Sequence, residues 1–147
     1  MVVIKEIELA SLHELGDLYQ ELMNKPSNLN KLEEVFKEIK ADRRYILLGA
    51  FVEGELLGSL MGIICQDLVG DCKPFMVIEN VVVSSRARRQ GVGKKLMNAI
   101  EEMAHERDCY YIILVSGEQR KEAHIFYESL GYRDEKVEGY RKYLSSH

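Results

Sequence analysis

No apolar stretch in the chain approaches the roughly 18 residues that a helix needs to cross a bilayer. The longest candidates are interrupted by glycine or charge, so a soluble chain without a membrane partner is expected. An excess of positive charge is also missing. The formal net charge is -4, whereas a nucleic-acid binder usually carries a basic domain, so nucleic acid is not an expected partner. Cysteine is sparse. Cys65, Cys72 and Cys109 form no C-x-x-C pair and no His/Cys cluster at zinc spacing, so no metal is expected. An odd number of cysteines and no signal-peptide pattern suit reduced thiols and a cytoplasmic location, with Cys109 placed in the core. No Ser/His/Asp set, internal repeat, low-complexity tract or linker is legible.

What is present fits one folded domain over residues 1–147. Hydrophobic residues make up 46% and charged residues 30% of the chain, a balance that argues against disorder at a length able to bury one core. Residues 2–7 read as a first strand. Ser11 and Glu14 give the S-x-x-E capping pattern of a helix whose Leu12, Leu15, Leu18, Tyr19 and Leu22 share a face. Pro26 breaks that helix. A second is expected over 31–41, capped by Asn30, with Leu32, Val35, Phe36 and Ile39 at helical spacing. The break at Pro26 can let the two helices line a pocket. Apolar runs at 45–52 and 55–68, joined by Glu53-Gly54, predict a hairpin, and a further strand is expected over 75–83. After it come a helix from Val92 to about Arg107, an apolar strand over 110–115, a helix over 118–130 ended by Gly131, and short strands at 132–133 and 137–144.

Residues 78–104 carry the most chemical information. A β-branched run ends in Val81-Val82-Val83, a basic glycine-containing turn follows, and an amphipathic helix starts at once. Amides at a helix start have no intrahelical acceptor and sit at the positive end of the dipole, so this turn is a ready anion site. Phosphate or pyrophosphate is the expected anion. A Walker A loop would need glycine at Arg88 and Ser or Thr at Lys95, and a dinucleotide fingerprint would need a third glycine at Leu96. Both patterns fail, and Arg88-Arg89-Gln90-Gly91-Val92-Gly93, an R-x-x-G-x-G, remains.

That hexapeptide, placed after a strand and opening a helix, resembles the R/Q-x-x-G-x-G/A motif of the GNAT superfamily of acyl-CoA-dependent N-acyltransferases. Residues 123–132, A-H-I-F-Y-E-S-L-G-Y, are similar to the same family's A-x-x-F-Y-x-x-x-G-F/Y segment. The resemblance implies an α/β fold with a mixed, largely antiparallel sheet of six or seven strands, split near the centre, with helices on both faces. It implies acetyl-CoA as co-substrate, direct acetyl transfer to a primary amine on a small molecule or a protein, and a homodimer as a common assembly. By the same resemblance the backbones of Val81 and Val83, with Val82 between them, pair with the pantetheine arm. The amides of Arg89, Gln90, Gly91, Val92, Gly93 and Lys94, together with Arg88, cradle the pyrophosphate. Val83 can also polarise the thioester carbonyl.

Amine acylation is helped by a base at the nucleophile and an acid at the leaving thiolate. Glu79 is a carboxylate inside an otherwise apolar run, where burial would raise its pKa toward the working range of a base. Tyr127 matches the family's thiolate-protonating tyrosine. Arg120 stands three residues before Ala123, where many members have Asn; it lacks that side-chain hydrogen bond but can reach a CoA phosphate. His124, a single histidine on a helix, reads as surface or structural. Acidic residues on the first two helices, Asp17, Glu21, Glu33 and Glu34, can attract a cationic amine. The competing reading is a non-catalytic acyl-CoA or CoA-binding sensor module, for which Arg120 leaves room.

Overall fold

The structure, a computed structural model, describes residues 1–87, 89–116 and 120–146. The chain divides into two compact units, Met1–Leu114 and Val115–His147.

In the first unit, strands β1 (Val2–Glu6), β2 (Tyr45–Val52), β3 (Glu55–Cys65), β4 (Phe75–Val83) and β5 (Ile112–Leu114) form one sheet in chain order. Only the β4–β5 pair is parallel. The Glu53-Gly54 turn between β2 and β3 places both residues at positive φ, 50° and 82°. That is the geometry of a two-residue hairpin turn whose twist matches the strands. Helices α1 (Leu12–Met23) and α2 (Leu29–Lys40) lie between β1 and β2, and α3 (Val92–Glu106) carries the crossover from β4 to β5.

Two faces of the sheet are covered. On one, Ile7, Leu12, Leu15, Leu18, Phe36, Phe51, Leu56 and Val82 form a buried cluster drawn from α1, α2 and the strands. On the other, Val92, Leu96 and Ile100 of α3 press onto β3 at Gly58 and Gly62. Two glycines two face-repeats apart let the helix approach the strand closely. Ser59 is fully buried, and its hydroxyl donates to the Leu48 carbonyl at 2.8 Å.

Two helix starts differ from expectation. Asn28, not Asn30, caps α2, its Oδ1 accepting from the Lys31 amide at 3.1 Å. Ser11 makes no side-chain cap to α1: it ends a 3-10 turn, Leu9–Ser11, at φ -98° and ψ 6°, outside the extended N-cap geometry, and Glu14 turns elsewhere, its Oε2 accepting from the Leu56 amide on β3 at 2.9 Å. Leu56 lies where the β2–β3 register slips by one residue, and Glu14 satisfies the donor there.

In the second unit the described residues contain one helix, α4 (Lys121–Ser129). Gly131 follows it at φ 99°, its amide donating to the Glu128 carbonyl at 3.1 Å. Among the described residues the sheet has five strands, not six or seven: 132–133 and 137–144 form none. A β-branched and aromatic pattern becomes a strand only when its backbone finds a ladder partner. Here Tyr140 and Leu144 are 91% and 92% exposed, and the side chains bond locally, as Tyr140 does to Glu138 and Arg141 to Tyr143.

The close approach at Gly58 generates a stability prediction. A Cβ there would come within 2.7 Å of Val92 Cγ1 and 3.1 Å of Leu96 Cδ1. Gly58→Val is expected to cost about 1–3 kcal/mol through overpacking, read as a lower urea midpoint at unchanged slope.

Candidate functional site

The site begins with a change of step in β4. Between Ser59 and Met61 the β3 strand advances two residues, while β4 advances three, from Val82 to Glu79. One extra residue is therefore accommodated, and Asn80 lies in the left-handed region at φ 57°. This is a β-bulge, with asparagine at a conformation that most side chains resist.

The bulge reverses the direction in which the backbone faces. Before it, the Met76 amide donates to Tyr111 on the β5 side at 3.0 Å; after it, the Ser84 amide donates to Leu57 on the β3 side at 2.8 Å. Met76 and Ser84 are an even number of residues apart and in a regular strand would face the same edge. With the bulge between them, Val81 and Val83 turn their backbone groups to the edge opposite β3. The β4–β5 ladder ends at Ile78 opposite Leu114, so among the described residues this edge has no ladder partner within the sheet. Val82 sends its side chain into the core, 7% exposed, while Val81 and Val83 are half-buried.

Glu79 is exposed. Its apolar neighbours led to an expectation of burial, but it pairs with Met61 and carries its carboxylate to solvent at the start of the bulge. The burial on which the raised-pKa argument rested is absent.

Beyond β4 a short 3-10 turn, Ser85–Ala87, leads to the glycine-containing segment. Several bonds hold it. The Ser84 hydroxyl accepts from the Arg86 amide at 3.2 Å, the Ala87 amide donates to the Ser84 carbonyl at 2.9 Å, and Ala87 is fully buried. Glu21 Oε1 of α1 accepts from the Ser85 amide at 3.0 Å, and Arg86 pairs with Glu55 at 3.5 Å. Glu21 is thus engaged with the main chain, and Glu34 with Lys31 at 3.3 Å; neither is a free acid awaiting an amine.

Arg89 and Gly91 both take positive φ, 68° and 75°, and Gly91 is the N-cap of α3 without a side-chain bond. The first helical bond runs from the Lys95 amide to the Gly91 carbonyl at 3.1 Å, leaving the amides of Val92, Gly93 and Lys94 at the positive end of the helix. Arg89, Lys94 and Lys95 have no ion-pair partner among the described residues. Gln90 is exposed in the same segment, and Arg88 lies outside the described residues. The arrangement is a helix start with three unpaired cations around it, suited to a multiply charged anion.

A second feature of this unit is a cleft of about 300 Å³ between α1 and α2, lined by Tyr19, Met23, Pro26, Leu32 and Val35 with Lys25 and Lys31. It is where the Pro26 break was expected to open a pocket. Its charged lining residues are lysines, not acids.

In the second unit Tyr127 is buried at 9% exposure, its ring 5.3 Å from Phe126 and 6.3 Å from Tyr132. Burial raises its pKa, and the charge of Arg120 works in the opposite direction. Arg120 is the N-cap of α4 without a side-chain bond, as a residue lacking any acceptor must be, and Ala123 is half-buried one turn on. Sequence reasoning missed Asn80 and gave Glu14 and Glu21 other roles, a capping box and the attraction of an amine; for these two the available signal was two glutamates seven residues apart on one helix.

Comparison with known proteins places this geometry. The model of the acetyltransferase (GNAT) family matches residues 12–132. A glucosamine 6-phosphate N-acetyltransferase of Trypanosoma brucei brucei is 34% identical over 80 residues, 54% of this chain and 52% of that protein, so the match spans about half that relative's length. The crystal structure of a transcriptional regulator from Bacillus halodurans C-125 aligns with a TM-score of 0.90 at 28% identity, covering 98% of this chain and 100% of the other. That of glucosamine-6-phosphate N-acetyltransferase from Arabidopsis thaliana shares the fold at a TM-score of 0.87 and 23% identity, covering 99% of each chain.

Two measurements check the geometry. Asn80→Gly is expected to keep the bulge and the urea midpoint within about 0.5 kcal/mol, while Asn80→Val, which resists positive φ, loses about 1–2 kcal/mol. Burial pushes Tyr19 up to about 12 and also raises Tyr127. Both phenols hold their protons more tightly folded than unfolded, so their contribution is whole below about pH 10 and is lost as pH rises through the folded values. Urea midpoints should therefore fall above about pH 10, and less steeply in Tyr19→Phe and Tyr127→Phe.

Proposed function

Because the chain belongs to the GNAT acetyltransferase family, we propose that it moves the acetyl group of acetyl-CoA to a primary amine. Transfer is direct, in a ternary complex, without a covalent enzyme intermediate, and residues 1–147 act as one acyltransferase domain. The observation that carries the donor half is the bulged strand that turns Val81 and Val83 to an open edge and then runs into an uncapped helix start. A pantetheine arm with two amides can add to that edge as a strand would, beside Val82, which anchors the segment in the core. The pyrophosphate meets the amides of Arg89, Gln90, Gly91, Val92, Gly93 and Lys94, with Arg88 beside them. Arg120 and Ala123 at the start of α4 take a CoA phosphate.

In the reaction the amine nitrogen attacks the thioester carbonyl carbon, a C–N bond forms and the C–S bond breaks. The Val83 amide meets the developing oxyanion. Glu79, open to solvent and to an arriving amine, takes the ammonium proton directly or through water. Tyr127 gives its phenolic proton to the leaving thiolate. Burial raises its pKa and makes it a weaker donor than a free phenol, so the role rests on the match of residues 123–132 to the family segment and on placement beside the sulfur.

For the acceptor we propose an amine that also carries an anionic group, with amino sugar phosphates the leading class. Lys25 in the α1–α2 cleft, which makes no ion pair among the described residues, favours an anionic substituent, and the Trypanosoma relative's name gives a compound of that class.

A thiol-release assay with acetyl-CoA and a panel of amines tests the reading. Amine-dependent CoA release is expected, fastest with hexosamine phosphates. Tight CoA binding with no release from any amine would instead make the protein a CoA-binding module. Tyr127→Phe should lower kcat by roughly 10²–10⁴ with CoA affinity within about twofold, and Glu79→Gln should lower kcat. An unchanged rate and pH profile in Tyr127→Phe removes the acid assignment.

A further inference from the structure

The turn that presents the donor amides is tied to α1 by the bond from the Ser85 amide to Glu21 Oε1, 3.0 Å long. The other bonds of that turn are local or run to β3: Ser84 to Leu57, Arg86 to Ser84, Ala87 to Ser84 and Arg86 to Glu55. Glu21 lies on the same helix as Glu14, seven residues before it, whose carboxylate holds the Leu56 amide at the slipped register of β3. The two carboxylates of α1 thus hold both main-chain segments that flank the end of β4: Leu56 beside Leu57, which receives Ser84, and Ser85 itself.

We infer that Glu21 is a positioning residue for the donor, fixing the Ser85 turn so that the amides of 89–94 are presented at one orientation. The inference rests on the donor reading above. A carboxylate near an anion site would by charge alone weaken a pyrophosphate ligand, so its geometric and Coulombic effects on CoA affinity have opposite signs. That makes the direction of each substitution informative.

Calorimetric titration of the full chain with CoA provides the test. Glu21→Gln keeps an acceptor oxygen and removes the charge, so it should bind CoA as tightly as the unmodified chain or up to about twofold tighter. Glu21→Ala loses the acceptor and should bind about fivefold more weakly, the scale of one charge-assisted hydrogen bond at an exposed position. Ser85→Pro removes the donor amide at the first position of a helical turn, where proline is tolerated. In that background Glu21→Ala should add less than about 1.5-fold, the non-additivity of a broken pair. Glu21 is exposed, so thermal midpoints should hold, and Glu21→Gln keeps the test readable should the alanine variant not fold. Alanine binding CoA as tightly as the unmodified chain, or additive effects in the double variant, overturns the positioning role alone. An unmodified chain that does not bind CoA overturns the donor reading and this inference with it.

Discussion

One extra residue in β4 sets the geometry on which the proposed donor site depends. Without the bulge, Val81 and Val83 would turn their backbone groups to β3, and Val82 and Ser84 would face the other edge in their place. With it, the same run keeps Met76 on the β5 ladder and Ser84 on the β3 ladder, and the residues between them gain an edge to offer a ligand. The left-handed asparagine costs on the order of 1 kcal/mol. Ladder bonds on both sides and the buried Val82 side chain offset it, so the strained residue is held by regular structure before and after it.

Charge arrangement follows from the same placement. In a protein of net charge -4, Arg89, Lys94 and Lys95 at the positive end of α3 have no acidic partner among the described residues, while Arg86, a few residues upstream, is answered by Glu55. The acids near this turn are used on the main chain: Glu14 at Leu56 and Glu21 at Ser85. Carboxylates satisfied by backbone amides hold the turn in place and take no cation away from the anion site. Exposed pairs elsewhere, such as Asp42–Arg44 and Lys73–Asp108, are ordinary surface pairs with little energetic weight.

Much of this was legible in the sequence because its cues are local. The strands at Tyr45–Val52 and Phe75–Val83, the Glu53-Gly54 turn and the start of α3 at Val92 follow from periodicity and turn chemistry. The bulge was not legible, since a valine run reads alike with or without an extra residue, and only the register of the neighbouring strand reveals it. Glu79 was misread for the same reason: apolar neighbours describe a strand, not which face each position takes. Glu14 looked like the third residue of a capping box, but the partner that claims it is 42 residues away. At 137–144 the pattern suits a strand, yet a strand is a property of two segments.

The proposed acid and base differ in the way that two-proton chemistry requires. Tyr127 stands beside the rings of Phe126 and Tyr132, and burial raises its pKa; such a phenol gives up its proton only to a strong base, as a thiolate is when it leaves. Glu79 stands in solvent, where an amine arrives as its ammonium and must give a proton to a group that water also reaches. A buried carboxylate would have been a stronger base but a less accessible one, and would have shared the Val81–Val83 segment with the donor. On the proposed reading, exposure leaves the Val81–Val83 strand to the donor and lets proton removal run through water. What that role asks of Glu79 is position, and position is what the bulge beside it supplies.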